Sequence, residues 1–135
     1  MKVDVSNNEI PSIPDGIVNL ADLQLIRMKN NKVKEIPACL IGLGNLKSLD
    51  VSRNMVVSLP QNISEWPSLV ELNISENQVQ NCPNLERVKS LEVLYINDNK
   101  LQAMPTLGVG VKKVEASSNR ISEIRRRTFE ECSNL

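Results

Sequence analysis

The chain has 135 residues, with 16 basic and 16 acidic side chains, so its formal net charge is zero. This length suits one domain and leaves no room for a repeat module together with a separate enzymatic domain. The balanced charge lacks the basic excess of a nucleic-acid-binding surface, and no window approaches the roughly 18 consecutive apolar residues of a membrane span. We therefore expect a single domain that does not bind nucleic acid and has no membrane span.

Hydrophobic residues make up 41% of the chain but aromatic residues only 2%. The core must therefore be built from Leu, Ile and Val. The aromatic side chains are Trp66, Tyr95 and Phe129. Trp66 and Phe129 fall at convex-side positions, where we expect them to fill the core.

Asparagine recurs at nearly constant spacing along the chain. The intervals are 23, 23, 23, 22 and 20 residues, and in each unit an alternating apolar pair comes before the asparagine, as Ile26 and Met28 come before Asn31. Each unit fits LxxLxLxxNxL, and self-similarity at this period is the signature of a solenoid. The recurring residues are Asn8, Asn31, Asn54, Asn77, Asn99 and Asn119.

The alternating pair predicts a short strand with one buried face, because side chains two residues apart point the same way. Stacking six such strands makes a parallel sheet of roughly 25 Å with a continuous aliphatic core. The amide of asparagine both donates and accepts hydrogen bonds, so we expect a stacked, structural asparagine ladder beside the strands.

These residues resemble the leucine-rich-repeat family over essentially the whole chain. The segments that begin Ile36-Pro37 and Leu59-Pro60 are similar to the LPxxLxxLxxL convex segment of the intracellular Ras-suppressor-like class. The resemblance implies an α/β fold, a right-handed leucine-rich-repeat solenoid with a curved parallel sheet on the concave face and an irregular or short-helical convex face. We expect one domain with repeats at 1–22, 23–45, 46–68, 69–90, 91–110 and 111–135.

The convex segments of successive repeats are predicted to have different local structures. A proline stops a helix from starting at its own position, so we expect short helical or 3₁₀ turns after it, at Asn62–Glu65 and Asn84–Lys89. The segment Gly108–Gly110 is too short and flexible for a helix. Both ends of a solenoid expose core unless capped, so we expect flanking repeats or domains of a longer chain, or end-to-end self-association.

No residue set supports catalysis, a cofactor or a metal. The chain has no histidine, which removes Ser-His-Asp, Cys-His and His-metal arrangements, and it has no Gly-rich phosphate loop. Cys39, Cys82 and Cys132 are widely spaced, so we expect reduced, unpaired thiols packed as small apolar groups in a reducing compartment. We expect a protein that is not an enzyme.

The outward-facing positions three, five, seven and eight of each repeat form the candidate binding surface on the concave face. Small polar residues at position seven, such as Ser52 and Ser75, would let a partner approach the backbone. Tyr95 would anchor the partner, because aromatic side chains dominate interface energies. The position-eight row turns from basic to acidic along the chain. The predicted partner-binding residues are Arg27, Lys29, Asp50, Arg53, Glu71, Asn73, Val93, Tyr95 and Asn97.

We therefore expect a protein-protein interaction module, a scaffold or sensor in cytoplasmic signalling that binds a protein partner through the concave face. Two alternatives stay open. One is the regulatory repeat region of a multidomain signalling enzyme such as a Roco-type GTPase, kinase or phosphatase, and the other is a secreted receptor ectodomain fragment. The basic run Arg125–Arg127 is a solvated edge in the simplest interpretation, and in the other it is a site for an acidic partner or membrane head groups.

Overall fold

Six short strands, each centred on an aliphatic residue that is buried or partly buried, form one parallel sheet. The computed structural model describes residues 1–130, 132 and 135. The strands are β1 (Lys2–Asp4), β2 (Leu25–Arg27), β3 (Ser48–Asp50), β4 (Glu71–Asn73), β5 (Val93–Tyr95) and β6 (Lys113–Glu115). They pair in sequence order, so each coil contacts only the coils before and after it.

The convex side carries 3₁₀ helices. They span Asp15–Asn19, Ala38–Gly42, Gln61–Glu65 and Arg126–Phe129. The first three start directly after a proline, whose fixed φ suits the extended residue that precedes a helix. The short helix predicted from Asn62 is therefore confirmed with its start at Gln61. No helix in the described ranges has the length and apolar character needed to cross a bilayer.

The short helix predicted at Asn84–Lys89 is wrong, because only turns occur there. The Oδ1 atom of Asn84 accepts a hydrogen bond from the Glu86 N–H at 2.8 Å, which closes a local turn. The Leu85 N–H donates to the Thr106 carbonyl of the next coil at 2.9 Å. The prediction that Gly108–Gly110 forms no helix is confirmed.

The core lies between the sheet and the convex segments. Side chains at the fourth repeat position, such as Ile26, Leu49 and Leu72, are fully buried. Trp66 is also buried, at 3% exposure, as predicted. Phe129 is 38% exposed, so its prediction as a core residue is wrong: the helix Arg126–Phe129 follows β6, beyond which the described residues place no further coil.

Asparagine side chains join consecutive coils. In Asn54, Nδ2 donates to the carbonyls of Val51 and Ser52 in its own coil and of Met28 in the coil before, at 2.9–3.0 Å, and Oδ1 accepts from the Val33 N–H at 2.9 Å. The same pattern recurs at Asn31, Asn77, Asn99 and Asn119. Asn8 bonds only to carbonyls of its own coil. Each amide thus satisfies backbone groups that the turn leaves unpaired.

The residue before each ladder asparagine adopts a left-handed backbone conformation. Its φ lies between 53° and 59°, a region that ordinary side chains rarely adopt. The turn therefore bends sharply enough to point the following asparagine inward, and the position-eight side chain stays exposed. These residues are Asn7, Asn30, Arg53, Glu76, Asp98 and Ser118.

Candidate functional site on the concave face

The concave face is the side of the sheet that carries the third and fifth residues of each repeat. Parallel register places these residues in continuous rows across the strands. One row runs Asp50, Asn73, Tyr95, Glu115 and the neighbouring row runs Glu71, Val93, Lys113. The structure thus brings four predicted binding residues of β4 and β5 together over two neighbouring strands.

Tyr95 lies at the centre of this surface and is held by Lys113. The Lys113 Nζ atom lies 4.9 Å from the Tyr95 ring centroid and donates a hydrogen bond to the Tyr95 Oη at 3.2 Å. It also lies 2.8 Å from Oε1 of Glu115. The hydrogen bonds to Glu115 and Tyr95 raise the pKa of Lys113, so the cation stays charged above the ring. We name Glu71, Asn73, Val93, Tyr95, Lys113 and Glu115 the Tyr95 patch.

Asp50 and Asn73 close the turns at the ends of their strands. Oδ1 of Asp50 accepts from the Ser52 N–H at 2.9 Å, and Oδ1 of Asn73 accepts from the N–H and the hydroxyl of Ser75 at 3.0 and 2.7 Å. Ser52 and Ser75 are only 2% and 7% exposed. The expectation that these two serines open the backbone to a partner is therefore wrong.

The position-eight side chains form the rim at the carboxyl ends of the strands. Arg53 contacts both carboxylate oxygens of Glu76 at 2.8 and 2.9 Å. The position-eight row was predicted to change from basic to acidic along the chain. Arg53 and Glu76, at the centre of the row, neutralise each other, so this change of charge is lost there. Asn97 donates from Nδ2 to Oδ2 of Asp98 at 2.6 Å, beside the Tyr95 patch.

Arg27 and Lys29 lie nearer the amino-terminal end of the sheet and are exposed. Arg27 pairs in register with Asp4 and Asp50. Two hydrogen bonds from Ser6 lower the pKa of Asp4, with a smaller contribution from the Arg27 charge. These two cations therefore extend the surface beyond the Tyr95 patch, separated from Tyr95 by β3 and β4.

The three cysteines carry thiols and form no disulfide. Cys39 is partly exposed, and its Sγ donates to Oδ1 of Asp15 at 3.4 Å. The Cys82 residue packs against the core, and burial raises the pKa of its thiol to about 12. The Cys132 Sγ donates to the Gly108 carbonyl at 3.6 Å.

Two family models match the sequence. The model described as "Leucine rich repeat" matches residues 1–56, and the model described as "Leucine Rich repeats (2 copies)" matches residues 67–108. The chain belongs to the leucine-rich-repeat family. Domains of this family are generally non-catalytic interaction modules. The Ras-suppressor-like class stays a prediction from the convex segments.

Solved leucine-rich-repeat structures share the fold. The octameric complex of Latrophilin 3, Unc5D and the leucine-rich repeats of FLRT2 superposes with a TM-score of 0.84 at 24% identity, over 96% of this chain and 42% of that one. The effector protein YopM from Yersinia pestis gives 0.78 at 24% identity, over 91% and 32%.

The plant peptide hormone receptor RGFR1 in complex with RGF2 gives a TM-score of 0.75 at 26% identity, over 88% of this chain and 20% of that one. This leucine-rich-repeat chain thus spans less than half the length of each of the three structures. The comparison with curated proteins gave no match.

Sequence reasoning placed Lys113 and Glu76 in the outward-facing rows of this leucine-rich-repeat surface but left both out of the predicted partner-binding residues and missed their contacts with Tyr95 and Arg53. These contacts could have been found from register: Lys113 occupies the third position beside Val93 and diagonal to Tyr95, and Glu76 occupies the position of Arg53 one coil later. Within residues 1–130, 132 and 135, no group of three His, Cys, Asp or Glu side chains could hold a metal ion.

The basic run Arg125–Arg127 lies apart from the concave face, at the helix Arg126–Phe129 on the convex side. Two of its guanidinium groups lie near carboxylates, Arg125 at 3.3 Å from Glu123 and Arg127 at 3.9 Å from Glu130. All three arginines are exposed. Their charge is therefore partly balanced and solvated.

Proposed function

We propose that this chain is a protein-recognition module that binds a protein partner through the Tyr95 patch. One observation carries the proposal: Lys113 holds the ring of the chain's one tyrosine at the centre of a continuous surface on three adjacent strands. A held aromatic side chain loses little conformational freedom when a partner docks. Such residues supply most of the binding energy in protein interfaces.

The chemistry of the patch indicates the kind of partner surface it fits. Val93 and Tyr95 supply apolar area in the centre, while Glu71, Lys113 and Glu115 surround it with charges of both signs. A partner that places an apolar side chain on Tyr95 and charged groups around it would complement this surface. The neighbouring cations Arg27 and Lys29 would then speed association without anchoring it.

Two further observations support this assignment. Structures of the same fold occur in complexes, namely the FLRT2 repeats with Latrophilin 3 and Unc5D, and RGFR1 with RGF2. The cysteines form no disulfide, which is typical of proteins in reducing compartments. We therefore propose a scaffold or sensor role in cytoplasmic signalling.

The test is capture of partners from a cell lysate on the immobilised chain, followed by titration of each purified partner by calorimetry. We expect Tyr95→Ala to lower the affinity for a captured partner. For the same partner, we expect Arg27→Glu to lower the rate of association. The control triple variant Arg125→Glu, Arg126→Glu and Arg127→Glu should leave affinity unchanged. A partner that tolerates Tyr95→Ala and concave charge reversal but is lost in the triple variant would place the site on the basic run and refute the proposal.

A further inference from the structure

The segments that follow the ladder asparagines form a second surface, at the side of the solenoid next to the carboxyl ends of the strands. In each segment the second residue is buried or partly buried, as Val33 and Val79 are, while the first and third residues are exposed or partly exposed. The Met55 N–H donates to the Val33 carbonyl at 2.8 Å, and the Lys100 N–H donates to the Val79 carbonyl at 2.9 Å. Successive segments therefore run side by side. We name the first and third residues after each ladder asparagine, from the second coil to the sixth, the lateral face.

The lateral face is basic although the chain as a whole is neutral. Its ten positions carry four cations and no carboxylate, namely Lys32, Lys34, Lys100 and Arg120. Lys32 lies 3.3 Å from Glu9 of the first coil. Among the residues that the structure describes, the other three cations form no ion pair. The lateral face can therefore attract carboxylate groups.

Carboxylates border the lateral face but offset only part of its charge. Glu76 and Glu123 lie in ion pairs with Arg53 and Arg125, which are outside the face. Glu35 directly follows the second lysine of the second coil, so its charge offsets one cation. The balance over the lateral face remains positive.

Two exposed apolar side chains lie in the third coil of the lateral face. Met55 and Val57 are 41% and 46% exposed. They are two residues apart in an extended segment, so their side chains stand next to each other on the same face. A single exposed apolar residue is ordinary, but an adjacent pair with lysines in the coil before it forms a patch of the kind that binds another polypeptide.

We propose that the lateral face binds an acidic polypeptide segment that carries apolar side chains among its carboxylates. The carboxylates complement the cations, and the apolar side chains cover Met55 and Val57. The apolar pair favours a polypeptide over a nucleic acid, because a phosphate backbone gains nothing from an apolar patch. The lateral face and the Tyr95 patch occupy different sides of the coils. The proposal does not rest on the proposed function, because its test uses synthetic peptides and no partner of the Tyr95 patch.

Fluorescence anisotropy with two labelled synthetic peptides tests the proposal. Both peptides are rich in glutamate, and one has two leucines at its centre where the other has two serines. We expect the wild-type chain to bind the leucine peptide about tenfold more tightly, because the leucines bury apolar area against Met55 and Val57. High salt should weaken the binding of both peptides, because salt screens their attraction to exposed cations.

A charge-reversal variant tests the contribution of the cations. Lys34→Glu with Lys100→Glu should weaken the binding of both peptides about tenfold. The matched control is Lys47→Glu with Lys89→Glu, which makes the same change of charge at two exposed lysines outside the lateral face. The control should leave both affinities within about twofold of the wild type. An equal loss in the two double variants would mean that the net charge of the chain, and not the lateral face, binds the peptides, and would overturn the proposal.

A second variant removes the apolar pair without changing the charge. Met55→Gln with Val57→Thr should lower the affinity for the leucine peptide to that for the serine peptide. Circular dichroism melts verify that each variant is folded. Equal binding of the two peptides by the wild-type chain overturns the proposal. Duplex DNA that binds as tightly as the leucine peptide would show a general site for polyanions and would also overturn it.

Discussion

The guanidinium Nε of Arg53 lies 2.8 Å from Oε1 and 2.9 Å from Oε2 of Glu76, the residue at the same repeat position one coil later. Both residues have a left-handed backbone, with φ of 54° and 53°. Because the two turns are alike and 23 residues apart, the side chains leave the rim in parallel and meet. The pair therefore changes the charge of the rim more than it changes the stability of the fold, since both side chains are about half exposed.

Removing this ion pair should have a small effect on stability. Exposed ion pairs are screened by water and salt, so Arg53→Ala should lower the free energy of unfolding by much less than a ladder substitution such as Asn54→Ala. Urea melts at low and high salt measure the effect, and the charge-swapped variant Arg53→Glu with Glu76→Arg is the control. A large loss that persists at high salt would contradict this prediction.

Replacing a ladder asparagine should be costly. Asn54→Ala leaves the Val33 N–H without its acceptor and removes the hydrogen bonds from Nδ2 to the Met28, Val51 and Ser52 carbonyls, so we expect a loss of about 1–3 kcal/mol in the free energy of unfolding. The matched control is Asn45→Ala, because the exposed Asn45 amide makes one hydrogen bond, to the Ala21 carbonyl at 3.1 Å. Urea melts compare the two. Equal losses would mean that the ladder is not a special stabilising feature.

Gly110 is expected to resist substitution by any larger residue. A Cβ atom there would lie 2.5 Å from the Lys89 carbonyl oxygen and 2.9 Å from that of Leu91. Both oxygens belong to the backbone and not to the end of a flexible side chain, so Gly110→Ala should cost about 1–3 kcal/mol. At Gly44 nothing lies within 4 Å of the added Cβ, so Gly44→Ala should cost little. Thermal melts measure the midpoints of Gly110→Ala and Gly44→Ala. Equal decreases in the two midpoints relative to the wild type would contradict this prediction.

The Cys82 thiol should make stability depend on alkaline pH. Burial raises the pKa of Cys82 in the folded chain from 9.0 to about 12, so above pH 9.0 the thiol ionises in the unfolded chain but stays protonated in the folded one. The free energy of unfolding should therefore fall between about pH 9 and 12. Urea melts of the wild type and of Cys82→Ala, each at pH 8 and pH 10.5, measure how much the free energy of unfolding falls in each protein. An identical fall in both would show that Cys82 does not cause it.

Tyr95 should dominate partner affinity. Tyr95→Ala removes the aromatic centre of the Tyr95 patch and should cost about 2 kcal/mol in the free energy of binding. Val57→Ala, which shortens an exposed apolar side chain outside the patch, is the control and should leave affinity unchanged. Calorimetric titration with a purified partner gives both values, and circular dichroism shows whether Tyr95→Ala remains folded. Affinity that is equal in the two variants would remove Tyr95 from the binding surface.

Much of the convex side could not be predicted from local sequence. Asn62–Glu65 and Asn84–Lys89 both follow a proline, yet only the first segment lies in a helix. The second forms an Asn84 turn and bonds to the next coil through Leu85. The outcome depends on where the following coil places its carbonyl groups, and that position is a property of the stacked coils.

The sequence by itself determined the strands, their order and the aliphatic core, because strand alternation and a period near 23 residues are short-range patterns that leave one way to bury the apolar face. Only the tertiary structure decided which polar side chains meet or are buried: Lys113 meets Tyr95, Arg53 meets Glu76, and Ser52 and Ser75 are buried. These contacts join residues at least 18 positions apart or depend on turn conformation. Their geometry is set by how adjacent coils stack, which no local pattern of residues records.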